Sequence, residues 1–582
     1  MTGGATTGKA ALDKAASATS RPAGRLAASS RDGLPFSAAG AALQTLAALC
    51  WIVQAAALAR AVGMLASGEG VRSVAPLVVL LLLFGLLRAG LDAWGGRLAF
   101  VRARQYLSGL RGEAVRALAQ RSPVDRGRVA SGEAASVVAE QAEAVLPYLS
   151  RYLPARWKAM AVPLAILAAV APFSWLAAVV LVLAAPLIPL FMALIGLKAR
   201  EASEAQMLEI GGMNAFLLDR LRGLATIRAM DAVDVTATRL RSSAERLRTR
   251  TMAVLRIAFL SSAVLELFSA LGVALVAVYI GFHFLGALPF GAWGGKLTLA
   301  DGLFILLLAP AFFEPLRELA AVWHDRAAGV AALDALRRLA QPGELHMPGA
   351  DAGPGDDAPA NKTMEEPPSV VLEDVVFGYG GARRVFDGLS LRIGAGEKVA
   401  VLAPSGGGKS TLLALIAGLA SADAGRIVVA GETLDDRTAA QARGRMAWVG
   451  QKPHLFAGTI TRNITLGRPG IGPQAVAAAV AQAALTDVVA RRKTGAPVGE
   501  AGEGLSGGEA LRLALARAAA DPHADIILAD EPTAHLDPQT AEDVRAGLLR
   551  IARGRTLIVA THDPVLAAAM DRVVTLTAGR AP

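Results

Sequence analysis

Long apolar stretches recur along this chain up to about residue 325 and then stop. A helix that crosses a bilayer needs about 20 mostly apolar residues. Six stretches meet that length, at about 38–62, 73–95, 153–172, 174–197, 256–281 and 299–321. The unbroken apolar run from Leu77 to Leu87 is hard to place in a soluble protein built on buried core helices, so the first half reads as membrane-embedded. The stretches 98–150 and 199–252 are charged and helical in pattern. The pattern changes after residue 368. Alternating apolar positions in SVVLEDVVFGY predict a strand, and Val399-Ala400-Val401-Leu402, Asp525 to Glu531 and LIVAT before His562 read as buried parallel strands. The segment 341–368 between the two patterns, rich in Pro, Gly and acids, reads as a linker.

The expected organisation is therefore a tail at 1–34, a six-span domain at 35–340, the linker at 341–368 and an α/β domain at 369–582. Composition agrees, with 54% hydrophobic residues and a mean hydropathy of +0.45. Basic residues flank particular spans. Lys9, Lys14, Arg21, Arg25 and Arg31 outnumber Asp13 and Asp32 in the tail, and Arg97, Arg102, Arg104, Arg111 and Arg116 follow the second span. The positive-inside rule puts both on the cytoplasmic side, and six spans return the C-terminal domain there too. The net charge of +10 is then a membrane bias and calls for no nucleic-acid partner. The tail has no apolar core directly behind its basic residues, so it does not read as a cleavable signal. Cys50, the single cysteine, lies in the first span and cannot form an internal disulfide.

The chemistry sits in the last third. Ala403-Pro404-Ser405-Gly406-Gly407-Gly408-Lys409-Ser410 follows a strand and opens a helix, the setting of a phosphate-binding loop. Small residues let backbone N–H groups wrap phosphates, Lys409 adds a charge near the β and γ positions, and Ser410 can reach Mg²⁺. Ala403 stands where the pattern has its first glycine, and its methyl strains the loop if that position needs positive φ. Asp530 and Glu531 end a buried strand side by side, which suits a Mg²⁺ ligand and a group that polarises the attacking water. His562 follows another strand and suits contact with the γ-phosphate.

Together with LSGGE at 505–509 and the loop Ala534 to Asp537, these segments resemble the nucleotide-binding domain of ATP-binding cassette (ABC) transporters. The resemblance implies that Gln451 senses Mg²⁺ and the attacking water, that Tyr379 stacks on adenine, and that Thr411 joins the cradle. It also implies that Ser506, Gly507, Gly508 and Glu509, with Asp537, address nucleotide across a dimer interface. A strand-end tyrosine has packing uses too. The family usually has glutamine where Glu509 stands, and Ser506 and Glu509 also form an S-x-x-E capping box, so the substitution either caps the helix or alters nucleotide contact.

The segments 449–463 and 497–508 resemble exporter-type cassettes, and the whole is similar to an exporter half-transporter: a six-helix transmembrane domain followed by an α/β P-loop nucleotide-binding domain. In that fold the spans continue into the cytoplasm as long helices whose tips dock on cassettes. The segments 212–232, 250–286 and 297–329 resemble the CydD-type subunit of the thiol-reductant exporter. That resemblance implies a heterodimer with a CydC-type subunit in the bacterial inner membrane, export of cysteine and glutathione, support of cytochrome bd assembly, and a link to haem. The alternatives are another cargo, such as haem, lipid or drug, and a regulatory or assembly ATPase without net transport.

Ionisable residues in the spans are candidate cargo contacts. Arg151, Arg156 and Lys158 read as snorkelling at the interface, Arg88 and Asp92 as an i,i+4 structural pair, and Tyr279 and His283 as interfacial anchors or a haem contact. Arg256 and Glu266 are less easily dismissed, because ionised groups at membrane depth face a cavity or a partner.

Overall fold

The computed structural model describes residues 37–186, scattered residues between 191 and 221, and then 223–350, 366–380, 384–468, 470–492, 498–499 and 504–576. The tail at 1–34, most of the linker and part of the fourth expected span thus lie outside the described residues. The chain forms two compact units. One comprises 1–112 with 135–337, and the other 113–134 with 338–582.

The first unit is helical. Helices α1 (Ala38–Ala66), α2 (Val71–Gln120), α3 (Leu153–Val170), α4 (Trp175–Ala184), α5 (Val233–Phe284), α6 (Leu299–Ala321) and α7 (Trp323–Ala340) carry it. Five helical stretches among the described residues are long and apolar enough to cross a membrane, and α4 is a shorter apolar helix. The fourth expected span, 174–197, is thus described over α4, and most of its remainder lies outside the described residues. Side chains of α1, α3, α4, α5 and α6 form one apolar core in which Phe312, Phe313, Ile305 and Leu308 are fully enclosed. The start of α6 is fixed by Thr298 and Asp301, which cap each other's backbone N–H groups. Within the apolar window of α2 just 6% of residues are buried, against 33–44% in the other spans, so that helix presents its surface to lipid or to a partner.

One expectation for the spans changes. No ion pair joins Arg88 to Asp92 among the described residues. The Arg88 guanidinium lies over the Trp51 ring instead, 5.5 Å from its centroid, because a flat cation can cover an aromatic face on a neighbouring helix. Tyr279 and His283 pin the turn between α5 and α6. His283 Nδ1 donates to Leu288 O at 2.9 Å, and its Nε2 accepts from Leu297 N–H at 3.3 Å. Both ring nitrogens thus hold backbone groups of the turn.

The second unit has two sheets. Strands β1 (Val370–Gly378), β2 (Arg384–Ile393), β4 (Ala424–Val429) and β5 (Glu432–Thr433) pair antiparallel in the order β2-β1-β4-β5. Strands β3 (Lys398–Leu402), β6 (Met446–Val449), β7 (Ile526–Asp530), β8 (Thr556–Ala560) and β9 (Arg572–Thr575) run parallel in the order β6-β7-β8-β3-β9. The central strands KVAVL, IILAD and TLIVA are apolar on both faces because helices cover both sides of a parallel sheet. Helices α8 (Lys409–Ile416), α9 (Gly507–Ala519) and α10 (Pro538–Ile551) supply part of that cover.

Residues 113–134 belong with this unit although they follow the second span in sequence. Ser122 Oγ donates to Leu419 O at 2.5 Å, Arg121 Nη2 to Gln341 O at 2.6 Å, and Met347 N to Gln120 O at 3.0 Å. Ser122 is fully buried and Arg121 nearly so, which makes the contact a fixed joint within the unit.

Candidate functional site

Parallel pairing collects the motifs at one edge. Val449 pairs with Ala529, Asp530 with Ala560, and Val401 with Ala560, so the loops that follow β6, β7, β8 and β3 leave the same side of the sheet. Ligands in open α/β sheets bind at these carboxyl ends. Gln451, Asp530, Glu531, His562 and the loop before Lys409 are brought together by topology, not by sequence proximity.

The cradle is built for backbone contact. Gly406 and Gly408 have φ of +79° and +91°, in the left-handed region that glycine tolerates. A Cβ on Gly407 would lie 2.9 Å from the Ala403 methyl. Ala403 itself is not among the residues with positive φ, so its departure from the usual glycine strains nothing. Pro404, Ser405 and Gly406 are exposed, and Gly408 N-caps α8 without a side-chain bond, leaving donors for an anion. Lys409 Nζ donates to Ala403 O at 2.8 Å and lies 3.2 Å from Glu531 Oε1.

Glu531 occupies a turn with φ +49°, fixed by its own N–H donating to Ala560 O at 2.8 Å. Its other carboxylate oxygen meets His562 Nδ1 at 2.6 Å and accepts from His562 N–H at 3.3 Å. Burial pushes the neighbouring Asp530 carboxyl above its ordinary range, against the pull of a hydrogen bond from Ser410. The Ser410 hydroxyl and Asp530 carboxylate form the kind of sparse, hard oxygen set with which proteins hold Mg²⁺ beside phosphates. Gln451 is exposed just beyond β6, and no hydrogen bond is found from it to this cluster among the described residues.

Tyr379 follows β1. Its hydroxyl hydrogen-bonds Thr411 Oγ1 at 3.0 Å, which ties the ring to the first turn of α8, and Phe377 packs edge-on at 5.1 Å. The Arg126 guanidinium, carried by the 113–134 segment, lies 4.6 Å from the ring centroid. No local motif in the sequence marks Arg126; its position follows from the docked segment.

At the signature both halves of the capping box form. Ser506 Oγ accepts from Glu509 N–H at 3.2 Å, and Glu509 accepts from Ser506 N–H at 3.0 Å. Arg491 adds an ion pair to Glu509 at 3.1 Å. Ser506 and Gly507 are exposed, and Gly507 has open space where a side chain would be, whereas a Cβ on Gly508 would lie 2.2 Å from Thr540 Cγ2. Asp537 N-caps α10, and its bonds to Thr540 hold its carboxyl below the usual range.

Comparison with known proteins places this arrangement. The family model for the ABC transporter matches residues 386–534, and that for the ABC transporter transmembrane region matches 38–304. The chain is 35% identical to the glutathione/L-cysteine transport system ATP-binding/permease protein CydD of Escherichia coli (strain K12), over 84% of this chain and 82% of that one. The chain belongs to the CydD-type ABC transporters. It is also 30% identical to the transport system protein CydC of Bacillus subtilis (strain 168), over 91% and 90% of the two chains. A solved bacterial Atm1-family ABC exporter with ATP bound aligns over 93% of each chain, with a TM-score of 0.68 and 25% identity. The half-transporter is thus a transmembrane domain joined to an ATP-binding, ATP-hydrolysing cassette.

Proposed function

We propose that the chain is one half of a heterodimeric exporter that moves cysteine and glutathione out across the bacterial inner membrane at the expense of ATP. The observation that carries this reading is the hydrolytic cluster of Lys409, Asp530, Glu531 and His562 at one sheet edge, in a chain whose relatives are named for glutathione and L-cysteine transport. The partner is a CydC-type subunit, and the cassette and the N-terminus are cytoplasmic, on the charge asymmetry of the loops.

Each residue has a task. The glycines of the cradle and Lys409 hold the phosphates, and Ser410 and Asp530, with Gln451, would hold Mg²⁺. Bound Mg²⁺ supplies neutralisation of charge on the phosphate oxygens. Glu531 orients and polarises the attacking water, and His562 fixes the carboxylate in that orientation. Tyr379 receives adenine. Ser506, Gly507 and Gly508, with Asp537, address the nucleotide held by the partner, with Glu509 serving as the helix cap behind them.

Inside-out vesicles that hold both subunits test this reading. They accumulate reduced glutathione and cysteine when ATP is supplied and not with a non-hydrolysable analogue. Active vesicles that take up neither thiol would remove the thiol assignment while leaving the ATPase intact.

A further inference from the structure

Arg126 lies in the stretch that follows α2, and its guanidinium carbon stands 4.6 Å from the centroid of the Tyr379 ring. The backbone beneath it is fixed on both sides. Ser122 Oγ donates to Leu419 O at 2.5 Å. The buried Asp125 carboxylate accepts from Gly127 N–H at 2.8 Å and from Leu345 N–H at 3.5 Å. Val124 packs against the same apolar core that Tyr379 joins. A loop held this way keeps its place while the exposed Arg126 side chain reaches out from it.

The two sides of the contact differ in freedom. The ring is anchored, because its hydroxyl is bonded to Thr411 Oγ1 at 3.0 Å in the first turn of α8, the helix that opens at the phosphate cradle. The guanidinium is held by no hydrogen bond or ion pair among the described residues; the ring is its contact. A guanidinium is planar, always charged and weakly hydrated, and it lies over aromatic planes of any kind, nucleobases included. A base stacked on the face of Tyr379 that Arg126 covers meets this group directly. Two stacking contacts need roughly 3.5 Å each, about 7 Å in all, so the guanidinium has to rise by about 2–3 Å to admit the base. An exposed side chain on a fixed loop can do so without moving the backbone.

We propose that Arg126 is a nucleotide-binding residue whose guanidinium forms the outer wall of the adenine site, with the base held between it and the Tyr379 ring. The inference rests on the reading that Tyr379 receives adenine. The nucleotide residues supplied by this chain then do not all belong to the cassette sequence: one comes from the segment that continues the second apolar helix.

The test is equilibrium binding of ATP and of tripolyphosphate, which has the phosphates and no base, to the full heterodimer. The dimer has two cradles, so one component of the ATP isotherm is expected to respond. Arg126→Ala weakens ATP at that component about threefold to thirtyfold, the worth of a cation–π contact between exposed and desolvated limits, and leaves tripolyphosphate within about twofold. Arg126→Lys keeps the charge and loses the plane, so its ATP affinity falls between those of Arg126→Ala and the wild type. Equal loss for ATP and tripolyphosphate overturns the proposal, since a phosphate contact or general damage acts on both. Unchanged or tighter ATP binding in Arg126→Ala also overturns it and makes the guanidinium a placeholder that adenine pushes aside. If Arg126→Ala does not assemble, Arg126→Lys decides: weaker ATP with tripolyphosphate unchanged supports the proposal, and wild-type affinity for both overturns it. Tyr379→Ala in parallel separates the two readings. Weaker ATP in Tyr379→Ala beside an unaffected Arg126→Ala removes this inference alone, whereas full ATP affinity in Tyr379→Ala removes the adenine site from Tyr379 and the inference with it.

Discussion

Glu531 and His562 meet at 2.6 Å between Oε2 and Nδ1, although they leave different strands. On its other side Glu531 lies 3.2 Å from Lys409 Nζ. The group expected to polarise water is thus held by one residue expected to contact the γ-phosphate and by another expected to bind phosphate. Replacing Glu531 by Gln removes the charge from both contacts while keeping the shape. ATPase turnover at this cradle should fall about 10²–10⁴-fold, the span of general-base effects. ATP binding should be kept or tightened because Lys409 is released. Lys409→Ala should instead weaken binding. Steady-state turnover and nucleotide binding, measured on the assembled heterodimer, separate the two.

Asp530 supplies a pH dependence. Its carboxyl titrates above the ordinary range because it is buried. A raised carboxyl pKa means that the ionised form is disfavoured by folding, so the apo protein is least helped at pH above the folded value and relieved of the cost as pH falls through it. Asp530→Asn should therefore raise the melting temperature of the nucleotide-free protein at pH 7.5, with the gain shrinking toward pH 5. The same change should abolish Mg²⁺-dependent turnover. A gain that grows on acidification would contradict this assignment.

Glu509 caps α9 in a complete box, and glutamine also serves at that position. Glu509→Gln should alter stability by less than about 1 kcal/mol, since glutamine keeps the cap and the Arg491 partner of its ion pair is solvent-exposed. The ATPase rate should stay as it is. A higher rate in the variant would show that the carboxylate acts on nucleotide.

Tyr379 and Thr411 test the adenine site. Tyr379→Ala should weaken ATP binding by about 1–3 kcal/mol, the worth of stacking one base, with turnover at saturation changed much less. Tyr379→Phe keeps the ring and loses the bond to Thr411, so it should show a small fraction of that effect. Equal affinity in Tyr379→Ala would place adenine elsewhere.

Gly508 and Gly507 should part company. A methyl on Gly508 would collide with Thr540, so Gly508→Ala should cost about 1–3 kcal/mol, the range for overpacking. Gly507→Ala meets no neighbour and should leave thermal stability nearly unchanged. Melting curves of the two variants check the difference.

The motifs of the cassette were legible because phosphate binding and hydrolysis demand particular residues at local spacing: glycines before Lys409, two acids at the end of an apolar strand, and a serine three residues before Glu509. Apolar stretches of bilayer length were legible for the same reason, since span length is set by the membrane. Tertiary structure decided what depends on partners far apart in sequence. It put Arg88 on the Trp51 face instead of against Asp92, showed that Ala403 has no strained backbone, and took both His283 nitrogens for backbone bonds. It also carried Arg126 to Tyr379 across some 250 intervening positions. Local pattern reports what a backbone segment can form, whereas a charge or ring takes the partner that the packing of helices and the order of strands bring within reach.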